Sequence, residues 1–194
     1  MRHPTLQIIL DEHRALAAML TSVSLLLAEH RRRGTLPPFD VLRAMLFYLD
    51  EFPGRLHHHK ESHLLFPLLR ERSDTAAAVL DRLDQEHAAG ERDIRDLEHA
   101  LLAFEMLGEG RRAAFEDAMA RYIRHYREHM ALEEEQVLPL AAEVLDDADW
   151  QQLDGAFTAN RDPLLGHAPD NEYERLFHHI VQIAPAPIGL GQAA

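Results

Sequence analysis

Two short motifs in the sequence each pair a histidine with a glutamate four residues later. The first is His57-x-x-x-Glu61 and the second is His129-x-x-x-Glu133. Residues four apart on a helix lie on the same face, so each motif would present an imidazole beside a carboxylate. Imidazole nitrogen and carboxylate oxygen are ligand atoms that iron, manganese and zinc accept in proteins. The two motifs therefore predict metal binding.

A lone histidine precedes each motif, and a proline follows it. His13 lies 44 residues before the first motif, and His87 lies 42 residues before the second. Pro67 and Pro139 each follow the motif glutamate by six residues. This order indicates an internal duplication whose repeated part is a set of metal ligands. The predicted set is His13, His57, Glu61, His87, His129 and Glu133.

The chemistry of this set favours two metal ions rather than a vacant cluster. Two carboxylates buried side by side repel each other unless cations lie between them. Two ions, each bound by imidazoles and sharing both carboxylates, would remove that repulsion. The sequence contains no cysteine, and a nitrogen and oxygen set without sulfur suits iron or manganese better than structural zinc. Zinc is compatible with the ligand types alone, and availability in the cell favours iron.

Neighbouring residues offer alternatives to this set. His58 could serve as a ligand if a kink at Pro53 rotates the helix, whereas the matched spacing to the following proline favours His57. His125 lies one turn before His129 and is either an additional group at the site or a packing residue.

Outer groups that hydrogen-bond to ligand imidazoles usually orient them. Glu12, Glu86, Tyr122 and Tyr126 are candidates for this role. His59 and His63 are expected on the solvated face.

Composition limits the partners of the chain. It has 194 residues, 46% of them hydrophobic, which is enough for a single sizeable core. It lacks an apolar run of the roughly 18–20 residues that a membrane span needs, and its first residues lack a signal pattern. We therefore expect a cytoplasmic protein without membrane contact. The formal charge of −13 argues against nucleic acid as a partner, because phosphate binding requires a basic face.

The elements that must position the ligands are helices. Apolar residues recur at helical spacing over about 5–34, 39–70, 73–107 and 111–144, and Pro53-Gly54 is expected to kink or break the second stretch. Short loops between four long helices predict an all-α, up-down-up-down four-helix bundle over residues 1–145.

Residues 146–194 differ from the bundle in pattern. They predict a short helical C-terminal extension with a Pro/Gly-rich tail, packed on the bundle or forming a homodimer contact. Asp149 is the expected cap of its first helix, and the second is expected to start near Asn171.

The order of these residues resembles that of the hemerythrin-like (HHE cation-binding) family over residues 1–145. The resemblance implies a non-haem di-iron centre that binds or senses dioxygen or nitric oxide. It also implies that His13 and His57 serve one iron, that His87 and His129 serve the other, and that Glu61 and Glu133 bridge them. The tail resembles an extension found in some bacterial members.

The chain departs from the oxygen-carrying hemerythrins at two points. They have a fifth histidine four residues after the position of His87, where this chain has Glu91. They also place the last carboxylate one residue later, which would select Glu134, whereas the internal repeat favours Glu133. A missing fifth histidine argues against reversible oxygen carriage.

We therefore expect a binding or sensing protein rather than a catalyst. The alternatives are a di-iron peroxidase, catalase-like or oxygen-reducing enzyme, and an iron-responsive regulatory or storage module. Ferritin-like enzymes carry Glu-x-x-His motifs, and this sequence contains none.

Overall fold

A computed structural model describes residues 3–52, 57–159, 163–165 and 174–190. This part of the chain contains no β-strand, so the predicted all-α class is confirmed. None of its helices is both long and apolar enough to cross a membrane. Its α-helices are α1 (Pro4–Arg33), α2 (Phe39–Phe52), α3 (Phe66–Arg72), α4 (Ala77–Leu107), α5 (Arg112–Leu132), α6 (Leu138–Val144), α7 (Asp147–Phe157) and α8 (Glu174–Ile183).

The second and fourth predicted helices are each divided by a wider, π-helical turn. These turns cover Glu61–Leu65 and Glu133–Val137, so each begins at a motif glutamate. Pro67 and Pro139 follow in the first turns of α3 and α6. Proline has no N–H and its ring crowds the preceding turn, so a regular α-helical bond is lost there and the helix widens. The predicted break at Pro53-Gly54 lies outside the described residues.

The helices around the candidate ligands pack as neighbours. Helix α1 contacts α2 and α5, and α4 contacts the same two helices. Their buried apolar residues form two clusters, one towards each end of the long helices. Along α1, His13 lies between Ile9 of one cluster and Leu16 of the other. The candidate ligands therefore occupy a polar layer between two apolar clusters, which shield it from water.

Helix α7 packs against the start of α1. The Thr5 hydroxyl donates to Asp154 Oδ1 (2.7 Å), and the His3 ring stacks on Trp150 with centroids 4.1 Å apart. The cap of α7 is Asp146, whereas Asp149 completes the capping box by accepting from the Asp146 N–H. The prediction of Asp149 as the cap was therefore wrong by three residues.

Helix α8 packs against α2. The Phe177 ring lies edge-on to Tyr48 and Phe52, with centroids 5.8 and 5.4 Å away. After α8, the chain is held on α1 by the Ser22 hydroxyl, which donates to the Pro185 carbonyl (3.0 Å). The predicted helix start near Asn171 lies outside the described residues.

Candidate metal centre

The structure brings all six predicted ligands together and adds a seventh residue, His58. They form two groups whose candidate ligand atoms lie within 4.8 Å of one another. The first group is His13, His57, Glu61 and Glu133, and the second is His58, His87 and His129. Six of the seven are buried, and the His87 side chain is only 7% exposed.

The imidazole nitrogens in each group have the spacing of ligands on one ion. Nε2 of His13 lies 3.1 Å from Nε2 of His57, and the Nε2 atoms of His87 and His129 are also 3.1 Å apart. Metal–nitrogen bonds of about 2.1 Å that meet at a right angle put their nitrogens about 3.0 Å apart. Both pairs of nitrogens therefore fit adjacent positions around one metal.

The two carboxylates face both groups at once. Glu61 Oε1 lies 3.2 Å from His57 Nε2, and its Oε2 lies 3.6 Å from His87 Nε2. Glu133 Oε2 lies 3.2 Å from His13 Nε2, and its Oε1 lies 3.4 Å from His129 Nε2. Each glutamate thus offers one oxygen to each group, as a bridging ligand would.

All four of these carboxylate oxygens are buried, and none accepts a hydrogen bond of ordinary geometry from a residue in the described part of the structure. Burying an ionised carboxylate without hydrogen bonds is unfavourable unless a cation compensates it. Glu61 and Glu133 therefore fit a pair of metal ions, and they fit a merely structural polar layer poorly.

Hydrogen bonds from outer residues orient four of the imidazoles. In each case Nδ1 is bonded to a side chain, which turns Nε2 towards the centre. The pairs are His57 with Glu12 (2.8 Å), His129 with Glu86 (2.8 Å), His13 with Glu134 (2.9 Å) and His87 with Ser62 (2.8 Å). Glu12 and Glu86 are among the predicted orienting residues.

Ser62 and Glu134 were not assigned this role from the sequence. Glu134, considered above as an alternative carboxylate ligand, instead contacts the outer nitrogen of His13, and its side chain is 43% exposed. Ser62 follows Glu61 as Glu134 follows Glu133, so the internal repeat carries the signal for both. In the structure each of them contacts a histidine of the opposite half, Glu134 contacting His13 and Ser62 contacting His87.

His57 and His58 both reach the centre, although on a regular helix only one of them would face it. Residues 57–58 lie in a widened helical turn, so adjacent side chains point to different groups. The His58 ring stacks on His87 with centroids 4.3 Å apart and lies 5.4 Å from His129. His58 thus places a fifth imidazole beside His87 and His129, although the position four residues after His87 is Glu91.

Among the candidates whose side chains are described, His125, His59 and His63 lie outside both groups. The His125 ring centroid is 6.2 Å from that of His129, and His125 belongs to neither group. The Glu91 side chain lies outside the described part of the structure. His59 and His63 are exposed, as expected, and their rings stack on each other.

Burial and charge divide the histidines into two kinds. Burial, reinforced by the neighbouring His87, lowers the pKa of His58 well below its usual value, so this ring stays neutral. Burial also opposes a charge on His57, but the Glu61 and Glu12 carboxylates outweigh it and raise the pKa of His57 well above the usual value. Metal uptake must displace that proton, since only the neutral nitrogen binds a cation.

A cavity of about 530 Å³ reaches the second group from the surface. His58 and His87 form part of its wall, together with Tyr122 and Tyr126. Gly90 also lines it, and a Cβ atom at that position would lie only 3.2 Å from the Tyr126 hydroxyl oxygen. Glycine at position 90 therefore lets the tyrosine lie close to helix α4.

Over the described residues the chain is helical and holds buried imidazoles and carboxylates in two metal-sized groups between apolar clusters, which is the arrangement of a metal-binding helical protein. More narrowly, the chain belongs to the hemerythrin family: the family model described as Hemerythrin HHE cation binding domain matches residues 5–141. That range includes all seven residues of the two groups and ends within α6. Neither a curated protein nor a solved structure gives a significant match.

Proposed function

We propose that this chain is a non-haem di-iron protein whose centre binds or senses dioxygen or nitric oxide. The observation that carries the proposal is the orientation of Glu61 and Glu133, each of which offers one oxygen to each histidine group. In this proposal His13 and His57 hold one ion, His58, His87 and His129 hold the other, and both carboxylates bridge. The iron would supply the open coordination position and the redox chemistry.

The ligand atoms support iron or manganese. All are imidazole nitrogens or carboxylate oxygens, a combination that suits both metals and is also compatible with zinc. The residues of the chain provide the rest: Glu12, Glu86, Glu134 and Ser62 fix the rings, and the apolar clusters exclude water. We further propose that α1 to α6 form the up-down-up-down bundle of residues 1–145, with residues 146–194 as an extension.

The test combines metal analysis with visible absorption. Protein purified without a histidine tag should contain two iron ions per chain, one for each group. After anaerobic reduction, air or nitric oxide should produce a new visible absorption band at one equivalent per di-iron centre. Stoichiometric iron with no spectral response to either gas would contradict the diatomic-ligand proposal and favour a storage or regulatory module.

A peroxide-reducing enzyme is the second candidate. The cavity beside His58 and His87 favours it, because its volume exceeds what a diatomic gas requires. Peroxidase and catalase assays on the iron-loaded protein distinguish the two candidates, since a binding protein should show no more turnover than free iron.

Removal of His58 should weaken the binding of one of the two metal ions. His58→Ala removes one of the three imidazoles of the second group and leaves the first group intact, so we expect the affinity for one ion to fall while the other ion stays bound after dialysis. His125→Ala is the matched control, because His125 lies one turn before His129 on α5 but belongs to neither group. The metal-to-protein ratio of the two variants, measured by plasma mass spectrometry, checks this. Two tightly held ions in His58→Ala would show that His58 is not a ligand.

A further inference from the structure

The cavity beside the second histidine group contains two buried phenol side chains. Tyr122 is 5% exposed and Tyr126 is 6% exposed, and their rings lie 4.6 Å apart. The Tyr122 hydroxyl is buried and has no hydrogen-bond partner of ordinary geometry among the described residues. A buried hydroxyl without a partner is unfavourable, so one found in a cavity wall indicates a missing acceptor.

Tyr126 links this phenol pair to the metal centre. Its ring is nearly parallel to that of His58, with centroids 5.8 Å apart, and lies 6.0 Å from that of His129. Its hydroxyl approaches Gly90, which also lines the cavity. Tyr126 therefore stands between the cavity and the second histidine group.

Both phenols stay protonated and can donate hydrogen bonds. Burial raises the pKa of Tyr122 well above its usual value, and the neighbouring Tyr126 adds to this effect. Burial also raises the pKa of Tyr126. The cavity thus offers O–H donors to an acceptor atom and does not offer phenolate charges.

The charges around the cavity do not favour an anionic occupant. Asp50, Asp84 and Arg95 line it, and Asp84 is paired with Arg70 at 3.0 Å. Because Arg70 also pairs with Asp81 at 2.8 Å, the carboxylates at this wall outnumber the guanidinium groups by one. The volume of about 530 Å³ lies within the range of 300–1,000 Å³ that is typical of small-molecule sites.

We propose that this cavity binds a small, uncharged organic molecule with a hydrogen-bond-accepting oxygen, and that Tyr122 and Tyr126 donate to that oxygen. The inference rests on the proposed function in one respect: the site adjoins the proposed metal centre through His58 and His87. It assigns the tyrosines a positioning role and no part in electron transfer.

The test measures binding without iron chemistry. Zinc-loaded protein is titrated with tert-butyl hydroperoxide, which zinc does not reduce, and the amide signal of Gly90 is followed by NMR. The metal-free chain is titrated in parallel, so that the dependence on tyrosine is measured even if zinc is not taken up. Zinc content, measured first, reports on the metal centre separately from the cavity.

Tyr126→Phe and Tyr122→Phe should each weaken hydroperoxide binding by about 3- to 10-fold, the usual effect of one hydrogen bond. Tyr48→Phe is the matched control, since Tyr48 is a buried tyrosine that packs against α8 away from the cavity. The melting temperature of Tyr122→Phe should change little, because the contact of its hydroxyl with the Tyr126 hydroxyl is too poor in geometry for a hydrogen bond of ordinary strength.

Three outcomes would overturn the inference. The first is equal affinity in the wild type and both cavity variants. The second is a lower melting temperature of the variants without a change in affinity, which indicates a structural role for the hydroxyls. The third is tyrosine-dependent binding of azide with none of the hydroperoxide, which indicates an anion site.

Discussion

Glu133→Gln is expected to remove both metal ions from the protein. Its carboxylate lies 3.2 Å from His13 Nε2 in the first group and 3.4 Å from His129 Nε2 in the second, so one substitution changes both groups. An amide of the same shape keeps the packing but loses the charge that a cation requires. We expect the affinity for each ion to fall by more than about 100-fold, beyond the 10- to 100-fold cost of losing an orienting group. Titration with Fe²⁺ under anaerobic conditions measures the affinity for each of the two ions.

Glu134→Gln is the matched control, one residue further along the chain. Glu134 contacts only the outer nitrogen of His13, and its side chain is 43% exposed. This variant should keep both ions and lose affinity mainly at the first group, by at most about 100-fold. If Glu134→Gln abolished binding and Glu133→Gln preserved it, the carboxylate of the bridge would be the later residue, as in the oxygen-carrying hemerythrins.

Removal of the metal should lower the melting temperature strongly. The two glutamates hold four buried oxygens without hydrogen bonds from the described residues, and the protonated His57 beside Glu61 compensates them only in part when no metal is bound. A ligand that binds only the folded state at 1,000 times its dissociation constant adds about 4 kcal/mol of stability. For a chain of this size that corresponds to roughly 8–16 °C in melting temperature. Differential scanning calorimetry before and after dialysis against a chelator measures the change.

The Glu133→Gln protein provides the internal control for this experiment. If the stabilisation comes from ions at the proposed centre, chelation should leave the melting temperature of this variant unchanged. An equal fall in both proteins would mean that the chelator acts elsewhere, and no fall in the wild type would mean that the fold does not depend on the metal.

The positions of the wide helical turns show how far local sequence rules extend. The six-residue spacing from Glu61 to Pro67 and from Glu133 to Pro139 is visible in the sequence, and both π-helical turns occupy it. A proline-based rule alone predicts a kink at such a site. That each helix continues beyond its proline depends on packing of the next segment against the core, where Phe66 and Leu69 of α3 and Leu138 and Ala141 of α6 are buried, and sequence spacing does not specify that packing.

His58 illustrates what helical periodicity misses. Adjacent residues on a regular helix point about 100° apart, so the sequence allowed only one of His57 and His58 to face the centre. Residues 57–58 lie in a widened turn, and both side chains reach the site. The fifth imidazole beside the site therefore comes from a residue that the sequence offered only as an alternative to His57.

The sequence by itself determined the all-α class, the family and six of the seven residues at the centre. It could do so because these properties depend on helical periodicity and on a duplicated ligand spacing, both of which are local. The tertiary structure decided the rest: the place of His58, the pairing of Ser62 and Glu134 with histidines of the opposite half, and the tyrosine-lined cavity. Each of these depends on which helices pack side by side and on how far each is shifted along its axis relative to its neighbours. Only long-range packing sets that arrangement.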